Sequence, residues 1–336
     1  MTRLLFTAAL SALLSLLLAI AGQAQESMPP ATPAALPEGL QTVEFFSPAV
    51  GRSMKFDVIL PPAYEDSQQD YPVLYLLHGY MQNYTVWGRN LAAAWYARQA
   101  DELILVMPDA GNSWYINYAR SDAGQSNNWE DHIIIDVISH VDDNFRSVAR
   151  REGRAIAGLS MGGFGALALG LRHPDKFISL GSSSGALSHA RDIARALRSG
   201  LEREQAPVPG SDDGGFQQAD AFVAGIIAID GFSTQQERTP TGIDFLQPEQ
   251  AEAYDPFQVI YDVPRSQMPH IYLDAGTGDS LIAPARELMS LLLINNVPFQ
   301  YRQAEGGHTA DYWRRAIGPM LNSQNEVMQR ALGRRP

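Results

Sequence analysis

The sequence predicts an α/β fold, with one largely parallel sheet covered by helices on both faces. Three observations carry that expectation. Strand-like segments alternate with segments of helical periodicity from about residue 40 onward, the order that builds a parallel sheet through helical crossovers. The inner strand candidates "YPVLYLLHG" and "LILVMPDA" are apolar almost throughout, as strands buried on both faces must be. Loops rich in glycine, serine, aspartate and histidine follow several strands, and open α/β sheets place their sites at strand carboxyl ends.

Taken in order, "TVEFFS" and "MKFDVILP" alternate and open the sheet, and "YPVLYLLHG" follows as a buried strand. "WGRNLAAAWYARQAD" is Ala-rich and predicts a helix before the strand "LILVMPDA". "NWEDHIIIDVISHVDDNF" sets Ile134, Val137, Ile138 and Val141 on one helical face. Later come "FISLGSS" and "HIYLDAGT" as strands, "PARELMSLLLINN" as a helix, "FQYRQAE" as a strand, and a terminal helix from about Thr309. No internal repeat is visible.

The segment "RAIAGLSMGGFGALALGLRHP", residues 154–174, carries the chemistry. Ala155, Ile156 and Ala157 end a short buried strand. From Met161 onward, Phe164, Leu167, Ala168 and Leu171 recur at helical spacing, and His173-Pro174 closes the helix. Ser160 therefore sits in the strand-to-helix turn, with Gly158 and Gly162 completing G-x-S-x-G. Such a turn is strained, and the glycines relieve its crowding while the hydroxyl stands above the sheet edge. A serine that merely caps a packed helix is the plainer alternative. A dinucleotide site is another, because Gly163, Gly165 and Ala168 fit G-x-G-x-x-A. That pattern wants an acidic residue about 20 positions on, and Ser182, Ser183 and Ser184 stand there instead.

A serine at its ordinary pKa needs a base within hydrogen-bond reach and a third group to orient that base. Of the seven histidines, His132 and His140 fall on a helix, His173 ends one, and His270 opens a strand. His189 lies in an irregular region, and His78-Gly79 suits an oxyanion pocket. His308, in the glycine-flanked loop "AEGGHTADYW" after the last strand, is the expected base. Asp279 in "DAGTGDS" is the expected orienting carboxylate, with Asp274 on the strand itself as its nearest rival. The order Ser160, Asp279, His308 is that of the α/β-hydrolase fold. Backbone N–H groups of Met161 and Tyr80 are the expected oxyanion donors.

The stretches "YPVLYLLHGYMQNYTVW", "AGLSMGGFGALALGLRHPDKF", "GTGDS" and "EGGHTADYW" together resemble the putative-esterase family of α/β-hydrolases, over about residues 41–325. That family includes tributyrin-type, feruloyl and acetyl-xylan esterases, formylglutathione hydrolases and mycolyltransferases. The resemblance implies Ser160 as nucleophile, Asp279 as acid, His308 as base, and the Tyr80 and Met161 amides as oxyanion hole. The chain departs from two subfamilies. Formylglutathione hydrolases carry a cysteine near the oxyanion loop, and mycolyltransferases use glutamate as the triad acid.

Composition bounds the rest. The chain has 336 residues, a formal net charge of −12 and no cysteine. The acidic balance disfavours nucleic acid and anionic membrane surfaces. Disulfides, thiolate metal sites and a cysteine nucleophile are excluded. Residues 1–24 predict a signal peptide: Arg3, an apolar run over 4–20, then Gly22-Gln23-Ala24. An uncleaved anchor is the alternative. Export to the periplasm or medium is expected, with no stable membrane insertion after cleavage. Residues 25–39, holding Pro29, Pro30, Pro33 and Pro37, read as a linker. The hydrolase domain then spans 40–336, with a cap insertion at about 187–256 that includes an amphipathic helix with Ile193, Leu197 and Leu201 on one face.

Trp114, Tyr115 and Trp129, interleaved with amides and serines after the fourth strand, are candidate pocket walls. No H-E-x-x-H or convincing nucleotide site is present, so no cofactor or metal is expected. The expected function is serine carboxylic ester hydrolysis through an acyl-enzyme, on short-chain acyl or carbohydrate-linked feruloyl or acetyl esters. The alternatives are acyl transfer to an acceptor other than water, and an inactive binding protein on a hydrolase scaffold.

Overall fold

A computed structural model describes residues 37–99, 102–200 and 239–334. The expected signal peptide, most of the linker, and residues 201–238 within the expected cap lie outside the described residues.

Eight strands form the main sheet: β1 (Leu40–Ser47), β2 (Arg52–Ile59), β3 (Val73–Leu77), β4 (Ile104–Pro108), β6 (Arg154–Leu159), β7 (Ser179–Ser183), β9 (His270–Gly276) and β10 (Phe299–Ala304). Their spatial order is β1-β2-β4-β3-β6-β7-β9-β10. The β1–β2 and β2–β4 pairs are antiparallel, and every pair from β4 to β10 is parallel. β5 (Arg120–Ser121) and β8 (Gly242–Ile243) make a separate two-stranded ladder. The fold is that of the α/β-hydrolases. Because β3, β6, β7, β9 and β10 run the same way, the loops after all five open at one edge.

The helices are α1 (Ala93–Ala97), α2, α3 (Met161–Arg172), α4 (His189–Ser199), α5 (Pro248–Glu252), α6 (Pro256–Val259), α7 (Ile282–Ile294) and α8 (Ala310–Ala331). Here α2 runs without a break through Trp129–Asp131, a π-helical stretch His132–Val137, and Ile138–Asn144. Its predicted face holds: Ile134, Val137, Ile138 and Val141 are all buried. α3 packs against β6 and β7, and Ala166, Leu167, Leu169 and Leu171 are closed from solvent. α8 covers the opposite face, where Trp313, Ile317, Met320 and Leu321 join Leu74, Leu76, Ala155 and Ala157 in one apolar cluster.

One predicted element differs. The expected helix over residues 87–101 is broken: Val86–Asn90 is π-helical, and α1 begins only at Ala93, after Ala92 at φ 61°. Leu91 and Ala93 are both fully buried. Residues two apart on a continuous helix face nearly opposite sides, so burying both requires the chain to turn between them.

The carboxyl end of α3 is anchored by a buried carboxylate. Glu130 on α2 is 3% exposed and accepts Arg172 Nε at 2.9 Å, Arg172 Nη2 at 3.1 Å and His173 Nε2 at 2.6 Å. The Tyr254 hydroxyl also donates to it. Burial would raise the Glu130 carboxyl, but the His173 and Arg172 bonds, the Arg172 charge and the Tyr254 hydroxyl outweigh it and pull it down to about 2. A lowered carboxylate adds stability that is full above its unfolded value of about 4.3 and is lost as pH falls toward the folded value. Glu130→Gln is expected to cost about 2–3 kcal/mol in urea denaturation at neutral pH. Arg172 is partly exposed and can rehydrate, which keeps the cost at that level. The wild-type loss of stability between about pH 5 and 2 should be smaller in the variant.

Candidate active site

Ser160 follows β6 and precedes α3 with φ 52° and ψ −118°, a conformation that costs a non-glycine residue on the order of 1–3 kcal/mol. The surroundings hold it there. Its N–H donates to the Ser183 carbonyl at 3.0 Å, and its carbonyl accepts from Phe164 and Ala186 N–H, each at 3.1 Å. The flanking glycines are required by contact. A Cβ on Gly158 would lie 2.3 Å from the Gly162 carbonyl oxygen, and one on Gly162 would lie 2.3 Å from that of Leu77. Gly162→Ala must therefore push β3 and α3 apart. It is expected to lower stability by about 1–3 kcal/mol in urea denaturation, with a further loss of activity as the turn moves.

Asp279 and His308 start far from Ser160 in the sheet. β9 lies two strands from β6 and β10 three, roughly 14 Å at ordinary strand spacing. The loops close the gap by pressing on each other. Gly278 N–H donates to the Gly306 carbonyl at 2.8 Å, and a Cβ on Gly276 would lie 2.3 Å from that same oxygen. His308 Nε2 then stands 2.9 Å from Ser160 Oγ, and Nδ1 stands 3.2 and 3.3 Å from the two Asp279 oxygens. An ionised carboxylate only accepts, so Nδ1 is the donor and Nε2 is left to accept the serine proton. The edge of Trp313 meets the imidazole, with ring centres 4.9 Å apart.

Asp279 is 3% exposed. Burial would raise its carboxyl, but the His308 hydrogen bond and charge outweigh it, aided by Ser184 and the Leu281 N–H at 2.8 Å. It sits below the ordinary carboxylate value. The Ser184 hydroxyl stands close by without completing a hydrogen bond of ordinary geometry. Asp274 makes no such contact with His308. It lies deeper, accepting from Ser183 and Tyr312.

The loop after β3 is pinned on both sides of the Tyr80 amide. Gly79 N–H donates to Gln82 Oε1 and Met81 N–H to Asn112 Oδ1, both at 2.8 Å. His78 is a brace: Ala110 N–H donates to its Nε2 at 3.0 Å, and its Nδ1 is 2.8 Å from the Gly79 carbonyl. Met161 opens α3, so its N–H has no partner within the helix.

The aromatic loop divides. Tyr115 and Trp129 are 0% and 1% exposed, so neither forms an open wall. Tyr115 packs on Gly165 and donates its hydroxyl to the His78 carbonyl at 2.8 Å. Trp129 lies in the core, with Arg52 over its ring at 4.8 Å. Trp114 is partly exposed, stacked on His189 at 3.5 Å and 6.0 Å from the Tyr80 ring. Ile193 and Leu197 of α4, within the expected cap, pack with Trp114, Phe164, Ile116 and Phe245. Leu201 lies outside the described residues.

Asn112, Ser184 and the Tyr115 hydroxyl were not legible as site supports, because their partners are distant in sequence, whereas Gln82 acts within its own turn, on Gly79. A cavity of about 410 Å³ lined by Asp70, Val148, Arg150, Leu332 and Arg334 lies near the amino ends of β3 and β6, away from Ser160. Among the described residues, no three His, Asp or Glu side chains gather as a metal site.

Residues 47–323 match the family described as Putative esterase. The chain belongs to the putative esterase family. An esterase of Mycobacterium tuberculosis is 38% identical over 156 residues, 44% of this chain and 33% of the relative. The chain thus spans about a third of the length of that curated relative. A diacylglycerol acyltransferase/mycolyltransferase of Mycobacterium leprae is 28% identical, over 86% of this chain and 82% of the relative. Among solved structures, the fluorophosphonate-binding serine hydrolase F of Staphylococcus aureus superposes with a TM-score of 0.62. It is 23% identical and covers 85% of this chain and 98% of its own. This putative esterase family member therefore shares the fold of a serine hydrolase, and its family handles esters by hydrolysis or acyl transfer. No helix among its described residues is long and apolar enough to cross a membrane.

Proposed function

We propose that the chain is a serine carboxylic ester hydrolase acting through an acyl-enzyme. The observation that carries this is the unbroken relay from Ser160 Oγ through His308 to Asp279, at 2.9 and 3.2 Å. Ser160 Oγ attacks the ester carbonyl carbon as its proton passes to His308 Nε2. Asp279 holds the imidazole and stabilises its charge. The N–H groups of Tyr80 and Met161 receive the oxyanion. Collapse of the intermediate expels the alcohol, which takes the proton from His308. Water then repeats the attack on the acyl-enzyme and releases the acid, with the proton returning to Ser160.

Short-chain acyl esters, or feruloyl and acetyl groups on carbohydrate, are the proposed substrates. The partly exposed Trp114 and Tyr80 beside the serine turn offer flat apolar surface for such groups. We assign the region 187–256 the role of a cap over the acyl or alcohol pocket, and residues 1–24 that of an export signal. Acyl transfer is the second reading, favoured by similarity to the mycolyltransferase over most of both chains. A fluorophosphonate probe should label the wild type and not Ser160→Ala. Labelling that survives the substitution defeats the serine mechanism. Products formed from p-nitrophenyl esters and feruloylated sugars, with and without glycerol, separate hydrolysis from transfer.

A further inference from the structure

Asp274 has no part in the relay, yet it touches both sides of it. Its Oδ1 accepts the Ser183 hydroxyl at 2.6 Å and the Tyr312 hydroxyl at 3.0 Å, and its backbone carbonyl accepts Ser184 N–H at 2.8 Å. Ser183 is the residue whose carbonyl holds the Ser160 amide. Tyr312, in the first turn of α8, lies against the loop that carries His308. Its ring is so close to Gly306 that a Cβ there would fall 2.7 Å from Tyr312 Cδ2. Trp313, the next residue, meets the His308 ring.

We propose that Asp274 is a positioning residue that sets the Ser160–His308 separation, by tying Ser183 on one side to Tyr312 on the other. The proposal rests on the reading of Ser160 and His308 as nucleophile and base. The tie is strongest when the carboxyl is ionised, because hydrogen bonds to a charged acceptor are roughly twice as strong as neutral ones. The groups facing it are the hydroxyls of Ser183, Tyr272 and Tyr312, with Arg302 and Tyr301 contributed by β10 and Asp279 beyond. Burial raises the Asp274 carboxyl to about 6, against the lowering effect of those hydroxyls and Arg302. Below that pH the tie slackens.

Tyr312→Phe removes one oxygen, and Asp274→Asn keeps shape while removing charge. Both are measured on p-nitrophenyl acetate across pH 4.5–8. Each is expected to lower kcat by about tenfold to a hundredfold, as displacement of reacting groups does, with KM within about twofold. In the wild type, log(kcat/KM) should fall on the acid side with a slope about one unit steeper than in Asp274→Asn. Asp274→Asn has no carboxyl there to titrate, whereas Tyr312→Phe keeps it and is expected to show the loss in kcat alone. Asp274→Asn also removes a buried charge, so its melting temperature should not fall. A kcat within about twofold of wild type in Tyr312→Phe, or an acid limb as steep as the wild type's in Asp274→Asn, overturns the proposal. Failure of the underlying mechanism has a different signature, fluorophosphonate labelling that persists in Ser160→Ala.

Discussion

Ser160→Ala is expected to lower kcat for p-nitrophenyl acetate by roughly 10⁶-fold, with KM little changed. The size follows from what the substitution removes. Among the described residues near the turn, Ser182, Ser183 and Ser184 are all buried, and Ser183 is committed to Asp274. Loss of a triad serine removes covalent catalysis entirely, and loss of that kind costs about as much as removing the whole triad. The oxyanion donors would still act on direct attack by water, so a residual acceleration of about 10³–10⁴ over solution is expected. Substrate binding should survive, because the turn geometry rests on Gly158, Gly162 and backbone bonds to Ser183 and Ala186 rather than on the hydroxyl. Stopped-flow release of p-nitrophenol gives both the burst and the steady rate. A variant retaining more than about 1% of wild-type kcat, or still showing a burst, contradicts an acyl-Ser160 intermediate.

Asp279→Asn is expected to lower kcat by on the order of 10⁴-fold while leaving the fold in place. The carboxylate accepts from His308 Nδ1. An asparagine amide there can donate instead, which turns the imidazole to the tautomer that carries its proton on Nε2. That nitrogen then faces Ser160 Oγ with nothing to accept the proton. The sign of the pH effect differs from that at Asp274. The Asp279 carboxyl is held below its ordinary value, so its contribution to stability is present above the unfolded value and lost only as pH falls through the lower folded one. Across the working range it stays ionised, and the acid limb of activity belongs to other groups. Steady-state kinetics with a thermal melt checks both parts. A loss under tenfold would mean that another group orients His308.

Some of this was readable from residue order alone. The turn at Ser160 was, because G-x-S-x-G between an apolar strand and an Ala/Leu helix is a local pattern, and its crowding is local too. The sheet was, because strands buried on both faces must be apolar along their whole length. Asp279 was the expected acid, with Asp274 as its nearest rival on the strand before it. Sequence gives the strand on which each sits, but not which loop bends toward β10. Tyr115 and Trp129 were misjudged for a similar reason. An aromatic side chain among amides and serines looks the same whether it lines a cleft or fills the space beneath one, and here a buried hydroxyl contact and an arginine decide it. The break at Ala92 was hidden because Ala-rich sequence favours a continuous helix, and only the need to bury Leu91 and Ala93 together overrides that preference.

The contact of Gly276 with the Gly306 carbonyl leaves no room for a side chain at 276, and the Gly278 N–H binds the same oxygen. The acid-bearing and base-bearing segments must then keep their length and their smallest residues in step, since an insertion in either would drag its partner along. Changes in what the protein accepts are left to accumulate elsewhere on the rim, where added residues do not disturb the spacing of acid and base.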